Sequence, residues 1–273
     1  MSLVVLAVVL AATCGLLGRW QWNRHVARDA VIAGIEANYD ADPVPLAELL
    51  ASPADPFGAD DVWRPVSVVG HYDPDGTALL RNRPINDQPG FHVLVPFVVD
   101  GAANRAPGAP AVIVVDRGWV RTGEIGDRPD VVPAPPTGRV EITVRLRADE
   151  PPSSRDAPAG QVQAISIDQV LEAGGLDARA VDAYSAYGAL AAERPGAPAA
   201  VGALPRPSTD PGSNLSYAFQ WWTFAAGALI GFSRLAWLEL HELDPATEPR
   251  SPRRGRGPSA EDEEDALIDS QLR

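Results

Sequence analysis

The 273-residue chain is predicted to be an α+β membrane protein in which two transmembrane helices flank an antiparallel β-sheet or small barrel. Three observations predict this. An uncharged apolar run lies near each end of the chain, and between them short segments rich in β-branched and aromatic residues are separated by Pro, Gly, Asp and Asn.

The first run, residues 2–18, contains no charge and reaches the lower edge of the roughly 17–25 apolar residues that cross a bilayer. No basic stretch precedes it within the chain and no small-x-small site follows, which favours a retained helix over a cleaved signal peptide. The second run is uncharged over residues 211–233 and resumes after Arg234 with Leu235, Ala236, Trp237 and Leu238. Trp20 and Trp22 follow the first run, and Tyr217, Trp221, Trp222 and Trp237 border the second, as amphipathic rings do at the two membrane interfaces. The predicted division is a transmembrane helix over 1–22, a helical extension and linker over 23–61, a β-rich domain over 62–190, a Pro-rich linker over 191–213, a second transmembrane helix over 214–240 and a disordered tail over 241–273. The tail holds the acidic cluster EDEED at 261–265, which reads either as an interaction tail or as a solvated end.

RVEITVRLR, residues 139–147, puts Val140, Ile142, Val144 and Leu146 on one face and Arg139, Glu141, Thr143, Arg145 and Arg147 on the other, the period-2 pattern of a half-buried strand. RPVSVVGHY, TALLRNR, FHVLVPFVV and AVIVVDRGWV supply further strands. AISID, residues 164–168, predicts a weaker strand leading into a short helix N-capped by Asp168 and ended by Gly174 and Gly175, and VDAYSAY, residues 181–187, closes the set.

The net charge of −13, with no lysine, excludes nucleic acid as a partner class, because phosphate binding needs clustered positive charge. The single cysteine, Cys14, lies in the first run, so no intrachain disulfide or paired-cysteine metal motif exists; it reads as a small apolar group. There is no glycine-rich phosphate loop, nucleophile elbow or histidine pair at metal-ligand spacing, and so no residue on which an enzyme reading can rest. His71 and His92 adjoin predicted strands and are placed where they could meet, though a satisfied structural histidine is the favoured reading. Arginine counting leaves the orientation open, since Arg250, Arg253, Arg254 and Arg256 follow the second run and Arg19, Arg24 and Arg28 follow the first. An upstream translation start that adds basic residues ahead of Ser2 would reconcile the two, and the intact mass of the native protein checks it.

Four stretches in fixed order, LGRWQWNR (17–24), RNRPINDQPGFHVLVPF (81–97), VVDRGWV (114–120) and LSYAFQWWTFA (215–225), resemble the Surfeit locus protein 1 family. Members of that family are two-span proteins that assist assembly of cytochrome c oxidase in the respiratory chain. The resemblance implies a multi-pass protein of the plasma membrane with an extracytoplasmic central domain and both termini in the cytoplasm. It also implies a role in supplying haem a or stabilising the catalytic subunit, without turnover of a substrate. Partners are then the oxidase subunits and the lipid bilayer. Where the family commonly has a histidine, a candidate haem a ligand, this chain has Asn214, which is not a usual axial ligand. A scaffold or a permanent accessory subunit is an alternative, as is an envelope adaptor unrelated to respiration.

Candidate site residues follow from the same stretches. Arg81, Arg83 and Arg117 either bind a haem propionate or partner carboxylate through the guanidinium fork, or are salt-bridged and solvated arginines beside a sheet. Gly18, Trp20, Gln21, Tyr217 and Trp221 either meet a partner at the membrane border or form an ordinary interface belt. Gly118 in DRGWV marks a bulge or a close backbone approach.

Overall fold

The computed structural model describes residues 2–102 and 108–242. Its elements in chain order are α1 (Ser2–Asn38), β1 (Val44–Pro45), α2 (Leu46–Leu49), β2 (Pro65–Tyr72), β3 (Ala78–Leu80), β4 (Gly90–Val99), β5 (Ala111–Arg121), β6 (Val140–Ala148), β7 (Gln161–Val162), α3 (Ile167–Ala173), β8 (Asp182–Ala183), β9 (Ala186–Arg194) and α4 (Asn214–Glu242). The chain divides into two compact units, Met1–Trp22 with Leu215–Arg273, and Asn23–Asn214.

The second unit is a barrel. The circuit β2–β6–β9–β5–β4 returns to β2 through the pairing of Gly70 with Val99 and Tyr72 with Phe97, so these strands leave no free edge among themselves. Their inward side chains, among them Val66, Val68, Phe97, Ile113, Val115, Ile142, Val144 and Leu146, form the main core. A second core lies outside the barrel wall, where Leu80, Leu94, Val112, Val114 and Val162 meet Val170 and Leu171 of α3. β4 and β5 therefore bury both faces and read as continuous apolar runs over residues 93–99 and 111–115, whereas β6 covers one core and alternates.

The pairing is mixed rather than antiparallel throughout, since β9 runs parallel to β5, β1 to β2, β7 to β3 and β8 to β5. The weak strand expected at 164–168 falls earlier, at Gln161–Val162, because Glu150 accepts the Ile165 N–H and turns the chain off the sheet. Asp168 is not the cap of α3. It sits in the first turn, and the Ile167 N–H is instead taken by the Asp149 carboxylate at 2.8 Å. Gly174 and Gly175 do follow its end. VDAYSAY splits between β8 and the start of β9, and β9 runs on to Arg194, past the boundary expected at 190. His71 and His92 do not meet: His71 pairs with Val98, six positions along β4 from His92, which is roughly 20 Å at strand rise.

In the first unit, Ala7, Ala11, Cys14 and Gly18 are shielded at the spacing of one helix face. The Trp222 indole of α4 lies against Gly18, where a Cβ would collide with it, and stacks at a tilt on Trp22 with ring centroids 6.0 Å apart. Gly18→Leu is expected to push the indole off α1, read as loss of the near-ultraviolet ellipticity of the Trp22–Trp222 couple. α1 is long and apolar enough to cross a membrane over Val4–Asn38, the one such helix among the described residues. α4 extends as a helix over the whole second run, but Gln220, Thr223, Ser233, Arg234 and Glu239 dilute its apolar character. The tail expected to be disordered lies, beyond residue 242, outside the described residues.

Candidate functional site

The polar chemistry of the barrel unit gathers in two places. The first is inside the barrel. Arg117, its side chain fully buried, pairs through Nη2 with Glu193 Oε1 at 3.2 Å and donates from Nη1 to the Pro133 carbonyl at 3.0 Å. Tyr72 donates its hydroxyl to Glu193 Oε2 at 3.1 Å, and its ring lies 5.2 Å from the Arg117 guanidinium carbon. Burial, reinforced by the Glu193 charge, raises the Tyr72 hydroxyl well above its ordinary range, so it stays a donor.

The second lies on the outer wall, around a cavity of about 200 Å³ lined by Trp63, Arg83, His92, Asp116, Arg147 and Tyr187 among others. His92, 6% exposed, donates from Nδ1 to Asp116 Oδ2 at 2.8 Å, while Asp116 Oδ1 accepts the Gly118 N–H at 3.2 Å. An ionised carboxylate only accepts, so Nδ1 carries the proton and Nε2 is left without a partner. A bulge between β4 and β5 makes this geometry: His92 pairs with Trp119 but Leu94 with Asp116, so β5 carries an extra residue at Arg117 and Gly118. Gly118 has φ +137, and the bulge lets Trp119 exchange two 2.8 Å backbone hydrogen bonds with Gly202.

Arginines on the outward face of β6 stack on aromatic rings. Arg147 lies 3.8 Å from the Trp63 ring centre and 5.9 Å from that of Tyr187, and Arg145 lies 3.8 Å from that of Tyr39. Trp63 holds a left-handed φ of +71, uncommon for a bulky residue, with its N–H on the Leu146 carbonyl at 2.7 Å. Burial pushes the Tyr187 hydroxyl up to about 12 against the opposing pull of Arg147.

The sequence-predicted residues separate accordingly. Arg83 makes a bidentate pair with Glu150, both bonds at 2.9 Å, on a loop where Asn82 takes φ +59 and the next hairpin turns tightly through Asn86 and Asp87, both at positive φ. Arg81 anchors the sheet with its backbone N–H on the Val162 carbonyl at 3.0 Å, and its buried Nε has no partner. Arg81, Arg83 and Arg117 therefore do not form one cluster: Arg83 alone borders the outer cavity, and Arg117 is in the barrel core. Trp20 and Tyr217 are about half exposed, Trp221 packs edge-on against Phe224 at 5.9 Å, and Gln21 Oε1 is buried without a partner. Sequence reasoning missed Tyr39, Trp63, Arg145 and Arg147, whose only local signal was arginine on the polar face of a strand.

Burial would raise Glu150, but the Arg83 fork and the Ile165 N–H outweigh it and hold its carboxyl below the ordinary range. A depressed folded pKa gives stability that is complete above the unfolded value of about 4.3 and lost as pH falls through the folded value. Neighbouring Asp149, raised mainly by burial, works in the opposite sense. Comparing the full chain with Arg83→Gln cancels Asp149, and the gap in their melting temperatures is expected to shrink from pH 7 to pH 3.

A small closed barrel, in a chain whose first helix is long and apolar enough to cross a membrane, defines the class of protein. The chain belongs to the SURF1 family, whose profile matches residues 8–226, from within α1 through the barrel into α4. It is 34% identical over 247 residues to SURF1-like proteins of Mycobacterium bovis and of Mycobacterium tuberculosis, covering 88% of this chain and 84% of each of theirs. It is also 29% identical over 128 residues to Surfeit locus protein 1 of Mus musculus, covering 41% of this chain and 38% of the mouse protein.

Proposed function

We propose that this chain assists maturation of cytochrome c oxidase by stabilising the catalytic subunit, without turnover of a substrate. The observation that carries this reading is family membership extending over both the apolar N-terminal helix and the barrel, residues 8–226. On this reading α4 is a second span, the barrel faces outward from the plasma membrane, and both termini are cytoplasmic. Trp20, Gln21, Tyr217 and Trp221 then meet lipid headgroups and oxidase subunits at the membrane borders.

Haem a does not fit as a resident group at the head of α4. Asn214 offers a carboxamide where an axial ligand is needed, and the described histidines are committed or placed elsewhere: His25 beside Asp29, His71 exposed on β2, His92 on Asp116 and His241 on the Trp237 carbonyl. The proposed action is therefore support of the oxidase subunit while others load its haem.

Affinity purification of the tagged full chain from growing cells tests this. Co-purification of the oxidase catalytic subunit in sub-stoichiometric amount, enriched when oxidase synthesis is induced, is expected. Equal recovery with mature, active oxidase at all times identifies a permanent subunit instead, and recovery of no oxidase subunit contradicts the proposal.

A further inference from the structure

The cavity on the outer barrel wall has a charge pattern that its own residues do not complete. Asp116 is engaged by His92 and the Gly118 N–H, and Glu150 by both arms of Arg83 and the Ile165 N–H. Arg147 is the remaining charge in the wall, and no described carboxylate pairs with it. Its guanidinium carbon lies over the Trp63 ring, 3.8 Å from its centre, which restrains the fork while no described carboxylate takes up its hydrogen-bonding edge. His92 Nε2, on a ring 6% exposed in the cavity wall, also has no partner. A buried polar atom left unmade is costly, so the unmet His92 Nε2, beside a half-buried guanidinium that no described carboxylate engages, points to a ligand in this cavity.

We infer that this cavity binds a carboxylate group, received by the Arg147 fork with the Tyr187 hydroxyl as a second donor, while His92 Nε2, an acceptor, is left for an N–H or O–H on the stem that carries the carboxylate. The planar fork matches a carboxylate in two parallel hydrogen bonds, and the aromatic walls of Trp63 and Tyr187 suit the apolar stem that carries it. Tyr187 keeps its proton at neutral pH and is available as a donor. At about 200 Å³ the space is below the roughly 300–1,000 Å³ of sites for drug-sized ligands, so it suits a carboxyl head on a short stem. Such a head is presented either by a small free acid or by an acidic end or side chain of a polypeptide. The site is argued from the cavity alone and stands whether or not the chain serves an oxidase.

The test is a titration of the detergent-solubilised full chain, carrying isotope-labelled histidine, with sodium propionate, using sodium chloride at equal ionic strength as the control. The chain has four histidines, and His92→Gln assigns the reporter resonance. A saturable shift of the His92 ring with propionate is expected, absent with chloride, and weakened at least tenfold in Arg147→Gln. Should that variant fold poorly, Tyr187→Phe keeps the ring beside Arg147 and is expected to weaken propionate by two- to fivefold. A short peptide ending in aspartate that binds tenfold tighter than propionate supports the site with a polypeptide as its source, and equal binding supports it with a small acid. A shift that chloride reproduces, or propionate binding unchanged in both variants, overturns the inference.

Discussion

Glu193→Ala is expected to destabilise the barrel by about 3–5 kcal/mol, the cost of removing one partner from a buried ion pair. Arg117 would be left charged with its side chain fully buried, and Tyr72 would lose the carboxylate that accepts its hydroxyl. Thermal unfolding of the detergent-purified full chain, followed by near-ultraviolet ellipticity, measures the change. The double variant Arg117→Met with Glu193→Leu separates charge from packing. Removing both partners of such a pair is often neutral or better, so most of the lost stability should return. A double variant as unstable as Glu193→Ala alone would mean that the pair is not what its removal disturbs.

Gly118→Ala is expected to cost about 1–3 kcal/mol through backbone strain at φ +137, before any collision is counted. The added Cβ would also run into the Gly202 carbonyl and the Val201 side chain, so the Trp119–Gly202 bridge should open. Amide hydrogen exchange at Trp119 and Gly202 should then quicken more than at Val115, deep in the barrel. The same bulge supplies the N–H that holds Asp116 on His92, so the His92 resonance should move as well. Unchanged exchange at both amides would show that the bulge tolerates a side chain.

Both predictions rest on features of unequal visibility in the sequence. The strand at 139–147 was legible because it covers a single core, and the bulge because glycine interrupts a β-branched run at Gly118. β9 was not legible beyond its first residues. GALAAER has none of the β-branched residues that mark a strand, and it is held by pairing with β5 and β6 on either side. The stacked arginines were hidden for a related reason. Arg145 and Arg147 alternate like solvated residues, and the rings they stack on, Tyr39 and Trp63, come from distant segments that no local pattern connects to them. Arg83 and Arg117 were legible as candidates, but the carboxylates that engage them, Glu150 and Glu193, lie far along the chain. His92 was visible while its partner was not, since Asp116 meets it only across the β4–β5 bulge.

The central claim is that this SURF1-family chain acts in oxidase maturation, and the reduced-minus-oxidised absorption spectrum of membranes with and without its gene tests it most directly. Deletion is expected to diminish the haem a band and oxygen consumption together, and the unaltered gene, with Asn214 in place, to restore both. A full haem a band with normal oxygen consumption in the deletion strain would contradict the account.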